Sequence, residues 1–405
     1  MNPVDTAYII ICSALVMFMT PGLALFYGGL TRSKNVLGTI MHSFICLGLI
    51  TLVWFLWGYS LAFGPDIGSL VGSLSYVGLK GVASEPNPAI VDNLPHTVFM
   101  IFQCMFAIIT VALITGSFAE RIKFSAFVVF AVLWVTVVYS PLCHWVWGGG
   151  WMGDMGALDF AGGAVVHMSS GAAALAAVLV IGPRKGFGQT AYMPHNLPMT
   201  ITGAAILWFG WFGFNAGSAL AVDSIAANAF VTTHVAAGLA VLGWLAVETM
   251  HRGKPTTLGA ASGAVAGLVA ITPAAGFVSP FSALFIGFLA GVICYGGVLM
   301  KERFKYDDSL DVVGIHGLGG VWGALATGLF ASTAINRGGA DGLFHGNAPQ
   351  LGIQLVSILA TLGFVFVVTW VILKLIDAVI GLRVSPDEET EGLDLSQHSE
   401  TGYQI

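Results

Sequence analysis

Apolar stretches long enough to cross a lipid bilayer, which takes about 20 residues each, recur along nearly the whole chain with only short polar breaks. Lipid is therefore the solvent in which the chain has to be understood. Of the 405 residues 56% are hydrophobic and 9% charged, against roughly 25% charged in a soluble domain. No water-soluble packing hides that much apolar surface. The 53 glycines agree, because small residues let membrane helices approach closely where apolar burial no longer drives association. The fold class is an all-α integral membrane protein with about 11 transmembrane helices. They are expected at 6–30, 41–64, 96–117, 124–143, 162–182, 197–218, 229–250, 257–274, 279–300, 312–334 and 350–382.

The charges test this map. Arg32, Lys34, Arg121, Lys123, Arg184, Lys185, Arg252, Lys254, Lys301, Arg303, Lys305, Lys374 and Arg383 all fall on one side, leaving only Lys80 and Arg337 opposite. A wrong number of spans would scramble that asymmetry. By the positive-inside rule the basic side is cytoplasmic, so the N-terminus is expected outside and the C-terminus inside a cytoplasmic (inner) membrane. The first segment is kept as a helix and not a secretory signal, since it opens with Asp5 and shows no small-residue cleavage site. The last apolar stretch exceeds what a bilayer needs, so it is expected to tilt or to extend inward, with Lys374 and Asp377 at its wet end.

Five crossings followed by five more place the second set upside down relative to the first. The expected organisation is a membrane domain over 1–383, with repeat one at about 6–182, an inverted repeat two at about 197–334 and an extra long helix at about 350–382. A tail over 384–405 follows. Transporters of this plan commonly place the substrate path at the repeat interface.

Two histidines sit inside the spans. His167 lies in DFAGGAVVHMSS and His316 in DVVGIHGLGG, and the two segments run in from opposite sides. At 1.5 Å per residue each reaches roughly 8 to 12 Å into a core about 30 Å thick, so the two can meet near the middle. Ionisable groups at that depth line a pathway or a relay; the alternative is a pair of neutral rings that hydrogen-bond neighbouring helices together. Symmetry and flanking glycines favour the pathway. His234 has no counterpart and is left as structural, and His42 and His251 lie near the inner interface.

Phe99, Phe102, Gln103 and Phe106 fall at i, i+3, i+4 and i+7 of the third span. Packing alone explains such a stripe. With Phe214, Ser218 and Trp147 near the same outer end, it can also form a cation site, where aromatic faces attract the charge and a hydroxyl accepts a hydrogen bond. Trp147 by itself reads as an interfacial anchor. Asp159 directly precedes FAGG and the fifth span, where a carboxylate caps free backbone N–H groups; proton handling is the lesser reading.

Other classes are disfavoured. The five cysteines are scattered singly, without the spacing of a metal site or disulfide framework, and no cofactor is called for. The net charge of -6 leaves no basic stripe for nucleic acid, and seven acids lie between Asp377 and Glu400. No nucleophile motif, H-E-x-x-H run or paired carboxylate at depth supports an enzyme.

The segments ALFYGGL, GYSLAFG, FAERIKFS, HWVWGGG, GALDFAGGAVVH, GWFGFNAGSA, DVVGIHG and EGLDLSQH, in that order, resemble the ammonium transporter family of Amt, methylammonium permease and Rhesus proteins, and most closely its bacterial Amt branch. The resemblance covers almost the whole chain. It implies nitrogen uptake as ammonium or ammonia, with methylammonium as an analogue. It also implies an outer recruitment site of Phe106, Trp147 and Ser218, a stacked gate of Phe106 and Phe214, twin pore histidines at His167 and His316, and Asp159 in support. A homotrimer with one pore per subunit and a PII-type signalling protein docking on the cytoplasmic face are further implications. One departure falls in the tail, where the family's HGE reads His398-Ser399-Glu400; losing that glycine bears on a tight turn. The mechanism expected is that ammonium binds outside, sheds a proton and passes the constriction as ammonia, with the proton relayed separately or not at all. A sensor acting through its tail is the rival.

Overall fold

The computed structural model describes residues 1–403. Eleven apolar helices form the bundle: α1 (Pro3–Leu30), α2 (Ser33–Phe63), α3 (His96–Ser117), α4 (Phe124–Asp154), α5 (Gly163–Ile181), α6 (Leu197–Gly217), α7 (Ser224–Arg252), α8 (Thr257–Ile271), α9 (Pro280–Phe304), α10 (Val313–Phe330) and α11 (Ala348–Ile380). All but α8 are long enough to span a bilayer unaided. The eighth was expected to run to 274 and stops at Ile271, with turns carrying the chain on to Pro280. Pro273 has no N–H with which to continue the helical ladder. Two short helices, α12 (Pro386–Glu391) and α13 (Leu393–His398), complete the described chain.

Local chemistry sets the helix starts. The side chains of Asn2, Asn196, Asp223, Thr256 and Ser279 each accept a hydrogen bond from a first-turn N–H of α1, α6, α7, α8 and α9. Proline stands in the first turn of α1, α6, α9 and α11, where its missing N–H costs nothing.

Helix α1 packs along α6, and α7 packs along α8 and α9. The α1–α6 contact is backbone to backbone, because a Cβ on Gly203 would lie 2.3 Å from the Phe26 nitrogen. Helices α3 and α5 are the most deeply buried spans, and α11 lies at the periphery, packed against α5. Helices α5 and α10 cross more closely still: a Cβ on Gly171 would lie 2.2 Å from the Gly317 Cα.

One end of the bundle gathers the basic residues. Arg121 and Arg184, expected in ordinary loops, are buried there, 0% and 7% exposed. Their burial is tolerable because Arg184 is paired with carboxylates and the Arg121 guanidinium is satisfied by hydrogen bonds. The Arg184 guanidinium donates to both carboxylate oxygens of Asp307, at 2.7 and 2.9 Å, and to Glu120 Oε2 at 3.2 Å. Arg32 Nη2 meets the same Glu120 oxygen at 2.8 Å. Arg121 donates to the Asp307 carbonyl at 2.6 Å and to the Gly182 carbonyl at 2.9 Å. Burial alone would raise the Glu120 and Asp307 carboxyls, but the neighbouring guanidiniums outweigh it and hold both below the usual carboxylate range.

The tail is seated on this network. Glu389 pairs with Arg383 at 2.7 Å and accepts from the Lys185 N–H at 2.7 Å. Asp394 Oδ1 accepts from the Gly38 N–H at 2.8 Å, at the start of α2. His398 packs edge-on against Phe124. The last turn closes on Ser399, which takes a left-handed φ of +54°, at the position where the resemblance implies glycine.

Two outcomes follow from these contacts. Glu120 and Asp307 titrate lower in the folded than in the unfolded chain, so the stability they contribute is present in full above about pH 4 and is lost as pH falls through their folded values. Thermal unfolding in detergent should be flat near neutrality and weaken in acid, and Asp307→Asn should cost about 3–5 kcal/mol at pH 7 by leaving Arg184 buried and half-paired. Ser399→Gly should relieve about 1 kcal/mol of left-handed strain, seen as slower hydrogen exchange over 386–398.

Candidate translocation site

At the end of the bundle opposite the basic network lies a cavity of about 670 Å³, lined by Phe99, Gln103, Phe106, Trp147, Phe160 and Ser218 among others. Phe99, Gln103 and Phe106 present one face of α3 to it. Phe102, grouped with them by spacing, turns aside and packs edge-on against Phe106 at 4.9 Å and towards Gly217. The Trp147 indole is fixed by its N–H, which donates to the Asp159 carbonyl at 2.9 Å, and it stands at 89° to the Phe106 ring. Ser218 caps α6 and donates its hydroxyl to the Phe214 carbonyl at 2.8 Å, leaving its lone pairs to accept. Gln103 Oε1 is a second acceptor, buried without a partner.

The floor of this cavity is aromatic. Phe106 and Phe214 stack with ring centroids 4.2 Å apart. Beneath Phe214 a second, narrow cavity is lined by Leu23, Phe26, Ile109, Leu113, Val265 and other apolar side chains, with Trp211, His167 and His316. The two imidazoles supply nearly all of its polar character. His316 Nδ1 and His167 Nδ1 are 3.3 Å apart, and both rings are buried. A hydrogen bond between like nitrogens needs one protonated and one bare, so the pair carries a single proton between its two Nδ1 atoms. His167 Nε2 has no partner and is free to meet a guest. Trp211 stacks on His167 at 5.3 Å and is itself held by its N–H, which donates to the Thr272 hydroxyl at 2.9 Å.

Matching local folds deliver the two rings. His167 lies in a π-helical turn, Gly163–Met168, and His316 in another, Val313–Gly317; each turn opens a 13-residue α-helical stretch. Such wide turns are uncommon and concentrate at functional sites. Asp159 organises the first: its carboxylate accepts from the N–H groups of Gly162, Gly163, Ala164 and Val165 at 2.6–3.3 Å. Burial pushes this carboxyl up and the four N–H groups pull it only partly back. The same residue, through its carbonyl, holds Trp147, so one aspartate ties the mouth to the helix that carries His167.

Phe106, Trp147 and Ser218 thus line the outer cavity and Phe214, His167 and His316 the inner one, while Asp159 lines neither and holds both Trp147 and the turn that carries His167. His234 sits exposed on the perimeter beside Trp208, away from both cavities. Trp211, Phe160 and the acceptor role of Gln103 escape the sequence reading. Trp211 carried a signal, since a tryptophan in the middle of a span, three residues before Phe214, is out of place for an interfacial anchor. Among the described residues no cluster of His, Cys, Asp and Glu could hold a metal ion.

A bundle of apolar helices long enough to cross a membrane, with two cavities in series parted by a stacked aromatic pair and two imidazoles in the second, is the architecture of a membrane transporter. The profile of the Ammonium Transporter Family matches residues 7–403, and the chain belongs to that family, one of transporters and not of enzymes. It is 54% identical to an ammonium transporter of Bacillus subtilis strain 168, over 99% of this chain and 98% of the relative. Among solved structures it resembles Mep2 of Candida albicans, with a TM-score of 0.90, 36% identity and coverage of 96% and 88% of the two chains. A structure described as a sensor Amt protein superposes with a TM-score of 0.89 at 29% identity, covering 98% of each chain.

The close crossing generates its own test. Gly171→Val should push α5 and α10 apart and part the imidazoles, cutting methylammonium uptake into liposomes at least tenfold, with an overpacking penalty of about 1–3 kcal/mol in thermal unfolding.

Proposed function

We propose that the chain takes up ammonium across the cytoplasmic membrane by splitting it: ammonium is recruited at the aromatic mouth, loses a proton there or at the histidines, and passes the apolar lumen as ammonia while the proton travels by way of the imidazole pair. The observation that carries this reading is the 3.3 Å contact between His167 and His316 in an otherwise apolar lumen. A cation at the mouth meets the faces of Phe106 and Trp147, worth about 2 kcal/mol or more when desolvated, and the oxygens of Ser218 and Gln103. Those acceptors reward an ion that donates hydrogen bonds. Past Phe106 and Phe214 the same charge would lie in hydrocarbon-like surroundings with almost nothing to solvate it, at a prohibitive cost. Ammonium escapes that cost by giving up a proton. Potassium has none to give.

Topology and assembly belong to the same proposal. The basic end faces the cytoplasm, as the positive-inside rule requires, so the mouth at Trp147 faces outward and the tail lies inside. A homotrimer accounts for His234, a polar ring left on the perimeter of the single chain beside Trp208 and Phe212. The seated tail and the loops around Arg184 offer a PII-type signalling protein a cytoplasmic docking face. A sensor reading draws support from the sensor Amt structure and from the tail seated on α2. Binding alone, however, leaves no use for a lumen and a histidine pair beyond the gate.

The test is uptake of labelled methylammonium by liposomes containing the purified protein, with potassium as competitor. His167→Ala and His316→Ala should each lower uptake at least tenfold or admit potassium. If both variants kept normal uptake and still excluded potassium, the paired-imidazole account would fail.

A further inference from the structure

Helix α11 lines neither cavity, yet its buried side carries Gln350, Gln354, Ser357 and Thr361 at i, i+4, i+7 and i+11. Polar side chains are costly on a peripheral membrane helix, so the bonds they make are informative. Gln354 is 1% exposed. Its Oε1 accepts from the Leu158 N–H at 2.8 Å and its Nε2 donates to the Leu158 carbonyl at 2.9 Å, the paired bonding that two strand residues make with each other. Among the described residues neither of these Leu158 groups has another partner. Gln354 Nε2 also donates to the Ala324 carbonyl at 3.2 Å, on α10, the helix that carries His316. Gly328 leaves the space this needs, since a Cβ there would lie 3.0 Å from Gln354 Cγ. One turn earlier, Gln350 Nε2 donates to the Gly156 carbonyl at 2.9 Å.

A buried glutamine in a membrane bundle commonly bonds one helix to another. These two direct their amides to the loop between α4 and α5 instead. From Leu158 to Phe160 that loop makes one backbone–backbone bond among the described residues, from the Phe160 N–H to the Pro273 carbonyl at 3.1 Å. Leu158 is followed by Asp159, whose carbonyl alone holds the Trp147 N–H, whereas its carboxylate is held by four N–H groups. A shift at Leu158 therefore acts first on Trp147 and less on the turn that carries His167. The segment ahead of α10 is braced differently, from α3 and the loop after it: the Ser309 N–H donates to the Ser117 carbonyl and Arg121 to the Asp307 carbonyl. Ahead of α5 the brace is α11.

We propose that Gln354 is a positioning residue for the recruitment site: its amide fixes Leu158 and, through Asp159, sets the Trp147 indole across Phe106. The peripheral helix then has a function of its own, to preorganise a mouth that it does not line. This rests on the recruitment at the mouth proposed above.

The experiment is the KM and Vmax of labelled methylammonium uptake by the full-length protein in liposomes, with amide hydrogen exchange over 158–165. Gln354→Leu keeps the bulk and removes the bonds; it should raise KM about tenfold, the effect of leaving a buried partner unbonded, change Vmax by less than about threefold, and speed exchange at Leu158. Gln354→Glu turns a carboxylate on the Leu158 and Ala324 carbonyls and should raise KM likewise. Leu373→Ala removes buried packing at the other end of α11; it should lower the melting temperature and leave KM unchanged. A Gln354→Leu protein with the wild-type KM, beside a Trp147→Leu protein whose KM rises, overturns the assignment and leaves the recruitment site standing. So does a KM that rises equally in Leu373→Ala. Should Gln354→Leu fail to fold, an unchanged KM in Gln354→Glu overturns it instead. If Trp147→Leu also keeps the wild-type KM, the recruitment reading falls, and this inference with it.

Discussion

His167 Nδ1 and His316 Nδ1 face each other across 3.3 Å in a lumen that offers almost no other polar group. Two like nitrogens bond only when they hold one proton between them, which makes the pair a donor–acceptor couple. The rest of the bundle can be understood as the means of holding that couple in place. The rings arrive on helices that run in opposite directions, each through a π-helical turn, and the helices approach as closely as two glycines allow. Trp211 stacks against one ring and Asp159 fixes the turn that carries it.

Charge is kept at the two ends and excluded between them. At one end, aromatic faces and two oxygens form the proposed cation site without committing a formal negative charge. At the other, guanidiniums and carboxylates neutralise one another in a buried network on which the tail is seated. On the proposed mechanism, the apolar interval beneath the stacked Phe106 and Phe214 discriminates by the cost of an unsolvated charge and not by diameter. A pore of this kind rejects ions that cannot change their own charge.

Much of this was legible in the residues, because membranes restrict folds severely: hydropathy gave the spans, and the one-sided basic residues gave their alternation. The eighth helix was overextended because a proline's missing N–H is a local matter that an apolar window ignores. The histidines stood out because an ionisable group deep in a span is expensive, and their opposite directions predicted that they meet. Phe102 misled, since a helical stripe of four side chains spans more arc than one cavity accepts. The burial of Arg121 and Arg184 was not legible at all. It depends on Glu120 and Asp307 arriving from distant loops, and sequence spacing says nothing about which loops converge. Ser399 is the converse case, where a missing glycine pointed to a tight turn that the chain makes with a left-handed serine.

The shared proton is the claim from which the others descend, and nitrogen-15 magnetic resonance of histidine-labelled protein in bilayers reads it directly. At neutral pH the resonances of His167 and His316 should show one protonated and one bare Nδ1, coupled to each other across the hydrogen bond. Two protonated Nδ1 atoms, or two bare ones, would contradict it.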